Sequence, residues 1–482
     1  MRMKSKTILK ILTVVAFMLA YFNLQGQTKG NPIISNDIYN IIAFGAKPDG
    51  KTLNTQAIQK TIDECFSRGG GTVLIPPGTF LTGSISLKSH VLLYLSKNAV
   101  LLASGNIADY STDKEKLCAV LIDSVEDVSI TGDGIINGQG GLFTVAESAP
   151  NRPWVVLVYK SRNIRIEKIT LKNSACWTLG ILGSEHIFIT GLSVYSHSNF
   201  NNDGIDVIDT KDAVISDCII DCDDDALCFK TTAVKQSCEN VAVTNCILAS
   251  NCNFIKFGTA SRGGFKNISI NNCVLRHASE SNRRNWYESL SGVTDTITGI
   301  SGIALEVVDG GFMDQIAITN ITMDGVQTPI FLRLGSRRNP VGSLKNVIIS
   351  NIVATTHSRI PCIISGVPGF YIENVLLKDM FIQCKGGGEA TDVTSIVPEN
   401  ENYYPENRMF GSNLPAYGLY VRHARNIEIN NVQFDLLQSD FRPALWFDDA
   451  QEIKVRNFKA SKPSGTYELI IKKPTDNVII EK

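Results

Sequence analysis

Short apolar alternations, each introduced by a polar turn residue, recur along most of this chain. One unit reads Asn163-Ile164-Arg165-Ile166 and continues to Ile169 and Leu171. The pattern returns from Ile187 to Val194, Ala213 to Ile220, Val241 to Leu248 and Ile268 to Leu275. Further copies start at Ile316, Val347, Val375, Ile427 and Ile453. The steps between copies are 23, 26, 28, 27, 48, 31, 28, 52 and 26 residues. The two long steps are each about two units, as a degenerate copy or an insertion would give. Within a unit the apolar residues alternate and are mostly Ile and Val, which makes each unit strand, not helix. Strand units of this size with Asn and Gly turns stack as coils about 4.8 Å apart, with inward side chains in ladders. The fold class expected is therefore all-β, a parallel β-helix (β-solenoid). Leucine-rich repeats would add a helical segment per unit, and a propeller would need antiparallel hairpins at a period near about 40.

The start of the chain departs from the repeat. Thr55 to Phe66 carries Ile58, Ile62 and Phe66 at helical spacing, which predicts a short amphipathic helix capping the first coil. Gly69-Gly70-Gly71 breaks it, and Thr72-Val73-Leu74-Ile75 opens the first strand. Upstream, Arg2, Lys4, Lys6 and Lys10 precede an apolar run from Ile11 to Phe22, the pattern of a signal peptide over residues 1–26. That run is short for a membrane span and no second one follows, so residues 27–482 are expected as one exported, soluble β-helix domain, periplasmic or secreted and monomeric. Two polar stretches, about 389–414 and 279–298, read as long loops, and such loops on a rigid scaffold commonly carry binding residues.

Composition narrows the options further. The chain has 482 residues, 44% hydrophobic and 19% charged, with a net charge of −1. No basic run follows the leader, so nucleic acid is not an expected partner. Cys218, Cys246 and Cys273 recur at steps of 28 and 27 inside apolar strand patterns, which suits reduced cysteines stacked in a core. No CxxC pair or Cys/His spacing suggests zinc, and no metal or other cofactor is expected.

Chemistry concentrates on two neighbouring repeats, Asn201-Asn202-Asp203-Gly204-Ile205-Asp206 and Asp223-Asp224-Asp225-Ala226-Leu227. Ile205 and Val207 match Leu227 and Phe229, which match Ile255 and Phe257. This register puts Asp203, Asp225 and Asn253 in one column, with Asp224 just before its strand, and Asp206, Cys228 and Lys256 in a second. Crowded carboxylates repel, so their pKa values separate, and one residue type can then supply both acid and base.

These motifs resemble glycoside hydrolase family 28, the polygalacturonase and rhamnogalacturonan hydrolase family. Phe44-Gly45-Ala46-Lys47-Pro48-Asp49-Gly50, with Gly70-Gly71-Thr72-Val73 and Pro76-Pro77-Gly78, is similar to its N-terminal motif. Its Asn-x-Asp motif matches Asn201-Asn202-Asp203, and its Asp-Asp pair matches Asp224-Asp225 at the same spacing of 21. The resemblance implies a right-handed parallel β-helix and an inverting glycosidase without a cofactor. Asp224 would protonate the leaving oxygen, while Asp203 and Asp225 would hold and deprotonate the attacking water. Asn201, Asn253, Lys256, Glu306 and Asp206 are the expected substrate-binding residues. Two departures stand out. The family's Gly-His-Gly falls near Cys252-Asn253-Phe254, with no His. Its Arg-Ile-Lys aligns with Ala304-Leu305-Glu306, and a glutamate there should repel a galacturonate carboxylate. The expectation is thus a galacturonide- or rhamnogalacturonan-type pectic polysaccharide rather than plain polygalacturonan.

Blander readings compete. The Asp223–Asp225 run can be a solvated turn, or hard oxygen ligands for calcium in a polysaccharide lyase with Lys256 as base. A non-catalytic glycan-binding solenoid is a third possibility. Lys256 can be a ladder residue paired with Asp206. Glu306 and Asp309 can cap a strand or contact substrate. Packing is the common fate of Trp154, Trp177 and Trp446, which leaves Trp286 as the sugar-stacking candidate. Arg333, Arg337 and Arg338 either line a groove or face solvent.

Overall fold

Each coil turns at residues whose backbone must enter the left-handed region, and this explains the Asn or Asp ahead of most apolar runs. Asn163, Asp212, Asn240, Asn267, Asn346, Asn374 and Asn426 all have φ between 53° and 58°, a conformation that Asn and Asp tolerate better than branched residues do. Their side chains also bond from coil to coil: Asn240 donates to Asp212 at 2.9 Å and Asn267 donates to Asn240 at 2.8 Å. The turn residue thus sets the bend and stitches the stack.

The computed structural model describes residues 38–146, 149–280, 299–338, 340–465 and 468–481. The expected leader and most of the 279–298 stretch, including Trp286, lie outside the described residues. The chain forms the expected right-handed parallel β-helix with three sheets. The first sheet stacks Leu179–Leu182, Ile205–Ile208, Leu227–Thr231, Asn253–Ser261 and Gly299–Val307, all parallel. The second contains Glu185–Thr190 and Lys211–Ser216, and the third contains Ser193–Ser196, Ile219–Cys222 and Ile247–Ser250. Inward columns such as Ile205, Leu227, Ile255 and Ile303 are fully buried. Phe229 stacks on Phe257 with centroids 4.4 Å apart.

Neither long step hides a degenerate copy. Ile268 pairs directly with Ile316, and Val375 with Ile427, so each is one coil carrying an insertion. Helix α1, Thr55–Ser67, buries Ile58, Ile62 and Cys65. Phe66, expected on its inner face, is exposed instead, because the helix turns Cys65 to the core. After α1 the chain passes so close to the next coil that a Cβ on Gly70 would meet the His90 carbonyl at 2.3 Å. All twelve cysteines are free, and Cys218, Cys246 and Cys273 are buried.

Candidate active site

The turn from the third sheet into the first brings the acidic segments together. Asn202, fully buried, donates to the Ser174 and Cys176 carbonyls, both at 2.9 Å, and fixes the turn ahead of Asp203. Gly204 follows because the coils are too close for a side chain: a Cβ there would sit 2.4 Å from the Ala226 carbonyl. The Gly204 amide donates to the Asp225 carbonyl at 2.9 Å, and the Ala226 amide to that of Asn253 at 2.9 Å. The column expected from sequence, Asp203, Asp225 and Asn253, is thereby held in register. The second column also stands, with Asp206 paired to Cys228 and Cys228 to Lys256.

Asp203, Asp224 and Asp225 line one cavity of about 490 Å³ together with Asn201, Asn253 and Lys256. Asp203 and Asp225 have carboxylate oxygens within 4.8 Å of each other, as do Asp224 and Asp225. A single water fits between such groups. Asn253 donates to Asp225 at 2.7 Å, and Asn201 accepts from Arg152 at 2.9 Å.

Two lysines, Lys256 buried and Lys230 half-buried, set the electrostatics. Lys230 reaches Asp203 at 3.0 Å, bonds Asp206 as well, and lies 3.8 Å from the Trp177 ring. Burial drives Asp203 well above the usual carboxylate range, and Asp206, Asp224 and Asp225 add repulsion that Lys230 only partly offsets. Burial likewise lifts Asp206 to about 6 against the pull of Lys230. Burial also acts on Asp225, but Lys256, Lys230 and the Asn253 hydrogen bond outweigh it and hold that carboxyl below its ordinary value. Two neighbouring carboxylates are thus pushed in opposite directions, the separation that acid–base chemistry needs.

Two expected substrate contacts are corrected. Asp206 is fully buried behind the cavity wall and serves Lys230. Glu306 is also fully buried, 3.3 Å from Lys256, and does not line the cavity. Lys256 therefore pairs with Glu306 rather than Asp206, because Lys230 already occupies Asp206. With Glu306 facing a lysine, the repulsion argued against a galacturonate loses its basis.

Several lining residues lay outside the set expected for the site. Lys230 was legible: it lies two residues past Cys228, on the outward face that Asp206 and Lys256 share. Trp177 lines the cavity although packing was expected for it. Arg337 also lines it, clamped by Asp309 through bonds of 2.9 and 2.6 Å. Tyr404 and Glu406 arrive from the 389–414 loop. That loop is pinned from beneath: Arg333, fully buried, donates to the Glu399 and Asn400 carbonyls at 2.9 and 3.3 Å. Asn407, equally buried, donates to Thr328 at 2.8 Å. Arg338 stays outside, 55% exposed.

A family model described as Glycosyl hydrolases family 28 matches residues 65–401. A protein of Vitis vinifera named "Probable polygalacturonase" is 34% identical over 215 residues, 40% of this chain and 44% of that relative, so the match spans less than half of its length. "Polygalacturonase-2" of Solanum lycopersicum is 23% identical over 394 residues, 77% of this chain and 81% of that protein. Among solved structures, an exopolygalacturonase from Thermotoga maritima superposes with a TM-score of 0.62 at 22% identity, covering 72% of this chain and 87% of that one.

Proposed function

The chain belongs to glycosyl hydrolases family 28, and from that premise we propose that it hydrolyses an α-linked galacturonide of a pectic polysaccharide with inversion of configuration. The observation that carries this reading is one cavity holding three aspartates, Asp203, Asp224 and Asp225, beside three cations, Lys230, Lys256 and Arg337. Asp224 donates its proton to the leaving glycosidic oxygen. A water held between Asp203 and Asp225 attacks the anomeric carbon from the other side, and Asp225, kept ionised by Lys256 and Lys230, takes its proton. Lys256 and Arg337 supply positive charge for a uronate carboxylate, a role supported by the polygalacturonase names of the relatives. Residues 1–26 act as an export signal, and residues 27–482 work as a single secreted or periplasmic domain, which the charged and apolar pattern of the N-terminus supports.

Inversion rests on the third carboxylate. With retention a carboxylate, not a water, would attack the anomeric carbon. Proton NMR of the first anomer released from polygalacturonate decides between them: the β-anomer is expected, and initial release of the α-anomer would sink the water-between-carboxylates arrangement. A panel of polygalacturonan, rhamnogalacturonan and debranched oligosaccharides, scored by new reducing ends, tests the substrate. A lyase reading predicts ultraviolet-absorbing products that vanish with chelator. Hydrolysis predicts neither, and a pure binding module predicts no new ends on any polymer.

A further inference from the structure

A second cavity, of about 400 Å³, opens on the third sheet, on the other side of the turns that carry the catalytic carboxylates. Its wall combines Asn137, Asn173, Tyr195, His197, Leu142 and Glu280. We propose that it is an accessory site for an uncharged, hydroxyl-rich glycosyl residue, such as a neutral branch of the polymer cut next door. The proposal rests on the pectic reading above for the source of that sugar, not for the chemistry of the cavity.

Three features argue that the cavity is built rather than incidental. Asp221 organises its floor: it bonds His197 at 3.0 Å, Arg276 at 2.9 Å and the Ser279 amide at 3.0 Å. The last two contacts, with Asn251 donating to the Glu280 carbonyl at 2.9 Å, hang the Glu280 carboxylate beside the cavity, where it accepts from the Tyr195 hydroxyl. His197 is 8% exposed, and its Nδ1 has no hydrogen-bond partner, a buried polar atom left over after the fold is satisfied. On the rim, Gly140 lies so close to the Ser174 carbonyl that a Cβ would meet it at 1.9 Å. Asn199 holds the Gly140 carbonyl at 3.0 Å, and this close approach sets Leu142, 64% exposed, over the opening.

The chemistry of the wall selects the class of ligand. Amides, a phenol and one carboxylate match sugar hydroxyls, the His197 ring backs them, and Tyr195 with Leu142 offers apolar surface to a pyranose or furanose face. No lysine or arginine lines the cavity among the described residues, whereas three line the catalytic one. Glu280 is the carboxylate that a uronate would meet in this wall, and Lys172, outside the lining, is held over the Tyr195 ring at 5.6 Å.

Calorimetric titration of the full-length Asp224→Asn protein tests this, with β-1,4-galactotetraose and α-1,5-arabinotetraose as neutral probes and trigalacturonate as the anionic one. A neutral probe should bind one-to-one with saturating trigalacturonate present, and His197→Gln and Leu142→Arg should each weaken it by about tenfold or more. Both variants should keep the trigalacturonate affinity, which also reports that they fold. Three results overturn the proposal: no neutral probe bound, neutral binding abolished by trigalacturonate, or affinity unmoved in both variants. If wild-type protein cuts no pectic polymer yet the neutral probe binds at His197, the pectic reading fails and the accessory site stands.

Discussion

Replacing Lys230 by methionine keeps the length of the side chain and removes the one charge that Asp203 and Asp206 share. The cost follows from Asp206. Its pKa is raised from 3.8 to about 6 even with Lys230 in place, so ionising it in the folded state costs about 3 kcal/mol more than in the unfolded chain. The sign is that of a carboxyl raised by folding. Below about pH 4 both states hold the proton and the penalty is nil, and it grows as pH rises towards 6. Without Lys230 the folded pKa climbs further, and the penalty keeps growing to higher pH. The variant should therefore lose roughly 1 kcal/mol at pH 5, from packing against Trp177, and roughly 3–5 kcal/mol at pH 8, as expected for a broken buried pair. Urea unfolding at the two pH values measures this. The acid limb of the pH–rate profile for reducing-end release should also move upward, because Asp203 holds its proton to higher pH. Equal losses at pH 5 and pH 8, with an unmoved acid limb, would refute the role given to Lys230.

Asp224→Asn should lower turnover by about 10²-fold to 10⁴-fold, the range for a lost general acid, with an unchanged circular dichroism spectrum; near-normal turnover would remove Asp224 from that role. Lys256→Met should raise KM for oligogalacturonides more than it lowers kcat, and should act less on any neutral glycoside, as a steady-state comparison of the two substrate classes will read. Arg333→Met should free the 389–414 loop by leaving the Glu399 and Asn400 carbonyls without their buried donor. Limited proteolysis should then cut that loop first, and an unchanged digestion pattern would count against Arg333 as its anchor.

The register of the site was written in the repeat itself. Because strand alternation has period 2 and each coil adds one step, matching Ile205, Leu227 and Ile255 was enough to align Asp203 with Asp225 and Asn253. The same rule reaches Lys230 once outward positions are followed two residues further. It could not say which lysine meets which acid. Lys256 lies on the face of Asp206 yet pairs with Glu306, since side chains choose partners by reach and competition after the backbone is placed. Nor could it bring Tyr404 and Glu406 to the cavity, for loop residues far along the chain have no period to follow.

By itself, then, the sequence determined the parallel β-helix, the coil register and the three carboxylates at one turn. All three follow from local periodicity and a repeated backbone step, which propagate along a solenoid without long-range information. Only the tertiary structure decided that Glu306 is hidden behind Lys256, that Asp309 aims Arg337 into the cavity, and that a second cavity stands beside the carboxylate-bearing turns. Those outcomes depend on burial and on pairings between distant coils and loops. There a charge is worth what its surroundings make it, and the surroundings exist only in the folded chain.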